Sequence, residues 1–256
     1  MKTRSPVMHV VVPYLATLSS LIAPLRAGPE EDLIRAVNAH MRETKSCAAD
    51  CIVVDEAGRV LDQSPRHAPG ASLEEQKVIF YEAGAVVFGK VGGSRTLQVW
   101  TMKGAQWCEV AEQWTTIQAD YRPQPSPPPS GSAKKPDLKG PDAGEVLVAE
   151  TVYRESVDLG KSRDTIRAPN GFVAILRDGQ LDTPTNRAVR SWNPTKRVSG
   201  VLQTEHDLRV RVDGKLGVVS GMVFNEGERA RFLRVFARYD DGWKLIAAQT
   251  TTVAAN

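Results

Sequence analysis

Polar and apolar residues alternate along Leu208-Arg-Val-Arg-Val212, which predicts a strand with Arg209 and Arg211 outward and the leucine and valines toward a core. Gly217 to Val223, Phe232 to Arg238 and Lys244 to Thr252 extend the pattern into three more strands, and Asp240-Asp-Gly242 supplies a tight turn for the last pair. Upstream the period changes. Val146, Ala149, Tyr153 and Ser156 fall on one face of a helix over Glu145–Leu159, with Val152 and Leu159 beside it. Phe172 to Leu176 and Leu181 flank Arg177-Asp-Gly, a short hairpin signal. A helix followed by antiparallel strands is an α+β pattern.

The pattern occurs twice. Arg95 to Ile117 aligns on Arg231 to Val253 without a gap, sharing Arg95/Arg231, Leu97/Leu233, Val99/Val235, Trp107/Trp243, Ala111/Ala247, Gln113/Gln249, Thr115/Thr251 and Thr116/Thr252. Glu75 to Val91 aligns on Asp207 to Val223, also without a gap. Ile52 to Asp62 matches Phe172 to Asp182 with one length slip at the turn. A period above 100 residues means duplicated domains, not a short-repeat solenoid. The repeat also overrides a local signal. Ser72-Leu-Glu-Glu75 has capping-box spacing, yet it aligns with the start of the strand near Asp207, so a strand is expected there.

Residues 1–27 have the layout of a secretory signal peptide: a basic Met1-Lys-Thr-Arg4, a largely apolar Val7 to Leu25, and a small residue at Ala27. The expected product is an exported protein, periplasmic or extracellular, with no stable membrane span once the leader is gone. Removing Lys2, Arg4 and Arg26 leaves 30 basic and 30 acidic residues, and the basic surplus that would suit nucleic acid disappears. Residues 121–143 contain seven prolines and no apolar periodicity, which predicts a solvated linker. The expected organisation is therefore a first domain over 28–120, that linker, and a second domain over 144–256.

Leu208 to Gly221 and Phe232 to Gln249 closely resemble the SnoaL-like branch of the nuclear transport factor 2-like superfamily. The resemblance covers most of 144–253 and reaches 30–117 through the repeat. It implies two tandem cones of cystatin-like α+β fold, each a curved antiparallel sheet packed against N-terminal helices and enclosing an apolar pocket. The superfamily includes ketosteroid isomerases and polyketide cyclases beside members that only bind or associate. Residues 183–206, longer than their counterpart in the first copy, favour the second cone as the one with a working cavity.

Within that cone Tyr153, Trp192, Phe224, Gln249 and Asp182 form the candidate lining. A ketosteroid isomerase needs an Asp base together with a Tyr and a protonated acid that donate to the oxyanion. Tyr153 lies on the inward helix face, but no Asp or Glu matches the other roles, and Asp182 and His206 read as a turn cap and a strand-start residue. Gly160-Lys-Ser162 lacks the first glycine of a phosphate loop. His40, His67, Cys47 and Cys51 have no zinc spacing, so no metal or cofactor is expected. Three cysteines allow one bridge, Cys47–Cys51 or Cys51–Cys108. The expected role is non-catalytic binding of a small apolar molecule. The alternatives are an isomerase-like or cyclase-like enzyme, and a structural module whose cones pair within the chain or in a homodimer.

Overall fold

The computed structural model describes residues 28–43, 50–62, 71–82, 84–121, 134–158, 163, 165–169, 172–182, 204–225 and 228–253. Residues 1–27, where a leader is expected, and Cys47 and Trp192 lie outside these residues. Each copy begins with one described helix. Helix α1 (Pro29–Glu43) places Pro29 at its first position, Glu30, Glu31 and Asp32 in its first turn, and His40 and Arg42 in its last. That distribution complements the helix dipole at both ends. Helix α2 (Ala143–Asp158) opens the second copy.

The first copy forms a six-stranded sheet from β1 (Ile52–Val54), β2 (Val60–Leu61), β3 (Glu74–Tyr81), β4 (Gly84–Val91), β5 (Ser94–Lys103) and β6 (Gln106–Thr116), in the order β2-β1-β6-β5-β4-β3. The second uses β7 (Asp137–Lys139), β8 (Val173–Ile175), β9 (Thr204–Asp213), β10 (Leu216–Asn225), β11 (Glu228–Tyr239) and β12 (Gly242–Thr252), in the order β7-β9-β10-β11-β12-β8. Both sheets are mixed rather than purely antiparallel, because β1 on β6, β8 on β12 and β7 on β9 run parallel. Strand β7 falls within the stretch 121–143. The end of the proline-rich stretch is an edge strand, with Leu138 opposite Val210.

The repeat holds at the level of register. Val99 faces Ala111 and Trp100 faces Glu109; 136 positions later Val235 faces Ala247 and Phe236 faces Leu245. The bulges so created contain Val110 and Ile246. A second matched pair of bulges holds Glu75 and Asp207, non-glycine residues with φ of 50° and 52°. The hairpin near residue 58 removes the expected length slip. Gly58 donates to Asp55 O and Gly179 to Leu176 O at 3.0 and 2.8 Å, each glycine at φ 73°, so Ile52 corresponds to Val173 and no residue is inserted. Bulges bend the strands and increase their twist, which is how a sheet wraps around a helix.

Alternation along the strands then produces three cores. Ala85, Val87, Trp100, Trp107 and Trp114 cover Leu33, Val37 and Met41 of α1. Val210, Val219, Phe232, Phe236 and Trp243 cover Val146 and Tyr153 of α2. The opposite faces of the two sheets meet in a third cluster, with Val86, Phe88, Leu97, Val99 and Ala111 against Val218, Leu233, Val235 and Ala247. Each half is therefore a cone with its own interior, and the two are joined back to back.

Polar side chains in that seam hydrogen-bond one another reciprocally. Gln113 Nε2 donates to Thr251 Oγ1 at 2.9 Å, and Gln249 Nε2 donates to Thr115 Oγ1 at 2.8 Å. Gln113 also reaches Arg231 O, and Gln249 reaches Arg95 O, at 3.2 and 3.3 Å. At the flanks Arg95 Nε donates to Gly179 O at 3.0 Å and Arg231 Nε to Gly58 O at 3.4 Å. Each arginine is also paired within its own copy, Arg95 with Glu75 and Arg231 with Asp207, both at 3.0 Å. Contacts exchanged in this way define an isologous, pseudo-twofold interface inside one chain.

Candidate functional site

The two cone interiors have the same scaffold and different chemistry. In the second, Val146, Glu150 and Tyr153 present the inner face of α2, and β11 brings Phe232 and Arg234 up to it. Arg234 is ion-paired with Glu150, whose side chain is 1% exposed. The guanidinium carbon lies 4.0 Å from the centre of the Phe232 ring and 4.9 Å from that of Tyr153. Burial pulls the Arg234 pKa down from 12.5 to about 9, which still leaves a cation at neutral pH.

In the first cone the aligned position holds Gln98 in place of Arg234. It organises a different cluster. Glu109 and Glu112 are three apart, an odd spacing that would send them to opposite faces of a regular strand. The bulge at Val110 restores the phase, and both carboxylates turn inward to meet His40 of α1. His40 Nε2 is 3.1 Å from Glu109 Oε2 and 3.7 Å from Glu112 Oε1. Gln98 Nε2 donates to Glu112 Oε1 at 2.8 Å, and Trp100 Nε1 donates to Gln98 Oε1 at 3.3 Å. The Trp100 ring meets the His40 ring edge-on, with centroids 5.6 Å apart. All three titratable groups are buried.

Of the residues read from sequence as a pocket lining, Tyr153 is the one placed among the Glu150 and Arg234 side chains. Gln249 is a correction: it is fully buried in the seam between the sheets, because its position on β12 has the parity of Ala247 and Thr251. Asp182 sits beyond the β8 hairpin and lines a cleft of about 430 Å³ between the copies, with Lys77, Ile79, Phe88 and Phe172. Phe224 is half-buried near the end of β10, opposite Arg229. His206 is half-buried on β9, opposite Met222. Cys108 is disulfide-bonded and Cys51 remains a thiol, which overturns both pairings considered from sequence, since each used Cys51.

Sequence reasoning passed over Glu150 and Arg234, and tested His40 only against neighbours in the chain. The signal that finds the first-cone cluster is the repeat itself. Where the second copy has Leu245 and Ala248, the first has Glu109 and Glu112. The fold tolerates apolar residues at both places, so the carboxylates are an addition to it.

No family model matches the sequence, and no curated protein matches it. Among solved structures it is similar to an NTF2-like protein from Cytophaga hutchinsonii, with 20% identity and a TM-score of 0.33 over 42% of this chain and 94% of that one. It is similar to a cystatin-like fold protein from Burkholderia xenovorans, with 20% identity and a TM-score of 0.32 over 44% and 92%. It is also similar to the CamKII hub homology domain of Chlamydamonas reinhardtii, with 20% identity and a TM-score of 0.36 over 44% and 100%. These likenesses concern fold alone. In architecture, each half of the chain is an α+β unit, one described helix against a six-stranded mixed sheet.

Proposed function

We propose that this is an exported protein of the SnoaL-like branch that binds, without chemistry, a small apolar molecule in its second cone. The observation that carries the reading is the Arg234 guanidinium, held between the Phe232 and Tyr153 rings and paired with Glu150. Small-molecule sites are apolar chambers with a few placed polar groups that orient the ligand, and this pair is such a handle. It is a poor proton carrier, because a group that works as an acid or base is most effective with a pKa near the operating pH, whereas Arg234 stays charged. Export is supported by the leader-like start of the chain and by the disulfide at Cys108, a linkage that persists in oxidising compartments.

Native mass spectrometry of the purified protein tests the reading. The expected result is a bound species of small mass, released by organic solvent and lost in Arg234→Met. Protein that carries no such species, and takes none up when incubated with apolar small molecules, contradicts it. Turnover of such a molecule would replace binding with isomerase-like or cyclase-like catalysis.

A second reading, a structural module, is favoured by one specific observation. The reciprocal Gln113–Thr251 and Gln249–Thr115 contacts fix the two cones relative to each other as subunits of a dimer would be fixed.

A further inference from the structure

We propose that His40, Glu109 and Glu112 form a site for one divalent transition-metal ion in the first cone, separate from the second-cone reading above. The three donor atoms lie within 4.8 Å of one another. A tetrahedral ion with bonds of about 2.0–2.2 Å holds neighbouring ligand atoms roughly 3.3–3.6 Å apart. The separations of 3.1 and 3.7 Å from His40 Nε2 to the two carboxylates bracket that range. The donors come from rigid elements: one from the last turn of α1, two from a bulged central strand.

A supporting shell is also present. Metal-binding carboxylates and imidazoles are normally oriented by a second ring of hydrogen bonds and packing. Here Gln98 fixes Glu112, the Trp100 indole fixes Gln98, and the same indole stands edge-on against His40. The duplicated fold shows what is dispensable. Leu245 and Ala248 occupy the carboxylate positions of the second cone without altering the strand register. The first-cone acids are therefore not needed to build a cone. Two buried carboxylates converging on an imidazole favour a cation between them, and one nitrogen with two oxygens suits zinc, manganese or iron(II). Three protein ligands leave a coordination position for water or a substrate oxygen.

Zinc is the probe. The full chain, stripped with a chelator and titrated with Zn²⁺ by calorimetry, is expected to bind one equivalent, and its melting temperature is expected to rise with metal concentration. Glu109→Gln and Glu112→Gln, which preserve shape, are each expected to weaken binding by about 100-fold or more. Gln98→Leu, which removes only the oriented hydrogen bond, is expected to weaken it by about 10–100-fold. His206→Asn is expected to leave it unchanged. Should the glutamine variants fail to fold, the visible absorption of the Co²⁺-loaded parent protein decides, intense for a tetrahedral site with oxygen and nitrogen ligands. Absence of stoichiometric binding in the parent protein, or undiminished binding in folded Glu109→Gln and Glu112→Gln, overturns the site and leaves a purely structural His–Glu–Glu cluster.

Discussion

Thr115 and Thr251 meet hydroxyl to hydroxyl at 2.5 Å. They occupy the same position of the two repeats. A residue that touches its own counterpart lies on the axis relating the copies, so this contact locates the pseudo-twofold axis near the C-terminal ends of β6 and β12. Everything reciprocal in the seam follows from it, including the crossed glutamines and the exchanged arginine contacts.

Such an axis implies matched energetics. Gln113→Leu and Gln249→Leu each remove a buried donor whose threonine partner stays behind. Each is expected to cost about 1–3 kcal/mol. Urea denaturation is expected to give losses equal within error, because each glutamine donates to one threonine and one backbone carbonyl of the other copy. A loss confined to one variant would mean that the seam is symmetric in geometry only.

The hairpin glycines break the symmetry in a predictable direction. Both sit at φ 73°, where a side chain is strained by roughly 1 kcal/mol. A Cβ on Gly179 would stand 2.8 Å from Ile117 Cα and from Thr116 O, both backbone atoms. On Gly58 the nearest atom is a terminal methyl of Val253, at 2.9 Å, which can turn away. Gly179→Ala is therefore expected to lower the melting temperature more than Gly58→Ala. The reverse order in calorimetric scans would contradict the backbone-against-backbone contact.

In the second cone, the Arg234–Glu150 pair is expected to behave as a unit. Arg234→Met or Glu150→Met alone leaves a buried charge, at a cost of about 3–5 kcal/mol. Replacing both is expected to restore much of that stability, because an apolar pair of similar volume needs no compensation. A double-mutant cycle with no coupling would show that the two side chains do not share their burial.

At high pH a tyrosine at the edge of the seam is expected to matter. Burial, with the nearby Tyr239 adding to it, pushes the Tyr81 pKa up from 10.0 to about 12. The folded state therefore holds this proton more tightly than the unfolded chain does. Stability is intact below about pH 10 and declines between about pH 10 and 12. Phenolate absorbance of the native protein is expected to show one late-titrating group that Tyr81→Phe removes. Normal titration of all tyrosines would place Tyr81 in water.

Much of the fold was legible because strand periodicity and the internal repeat agree. Val210 and Val219, or Val78 and Val87, pair as the alignment requires, and the capping-box look-alike at Ser72 yields to β3. What alternation alone could not show was parity across a bulge. Glu109 and Glu112 share a face only because Val110 interrupts the ladder, and Gln249 points into the seam because its phase is set beyond the same interruption in β12. The candidate sites were less visible for a related reason. His40 lies about 70 residues from its carboxylate neighbours, and Arg234 reads as an outward strand residue until Glu150 of α2 is laid over it. The Leu138 strand was hidden by the prolines around it.

The most direct test of the central claim, one chain folded as its own dimer, is a cross-link on the axis. Thr115→Cys combined with Thr251→Cys is expected to form a bridge within the monomeric chain under mild oxidation, identified by mass spectrometry as a single peptide pair joining β6 to β12. Recovery of both cysteines as thiols in the folded monomer, or a bridge found only between two chains, would contradict the internal pseudo-twofold axis.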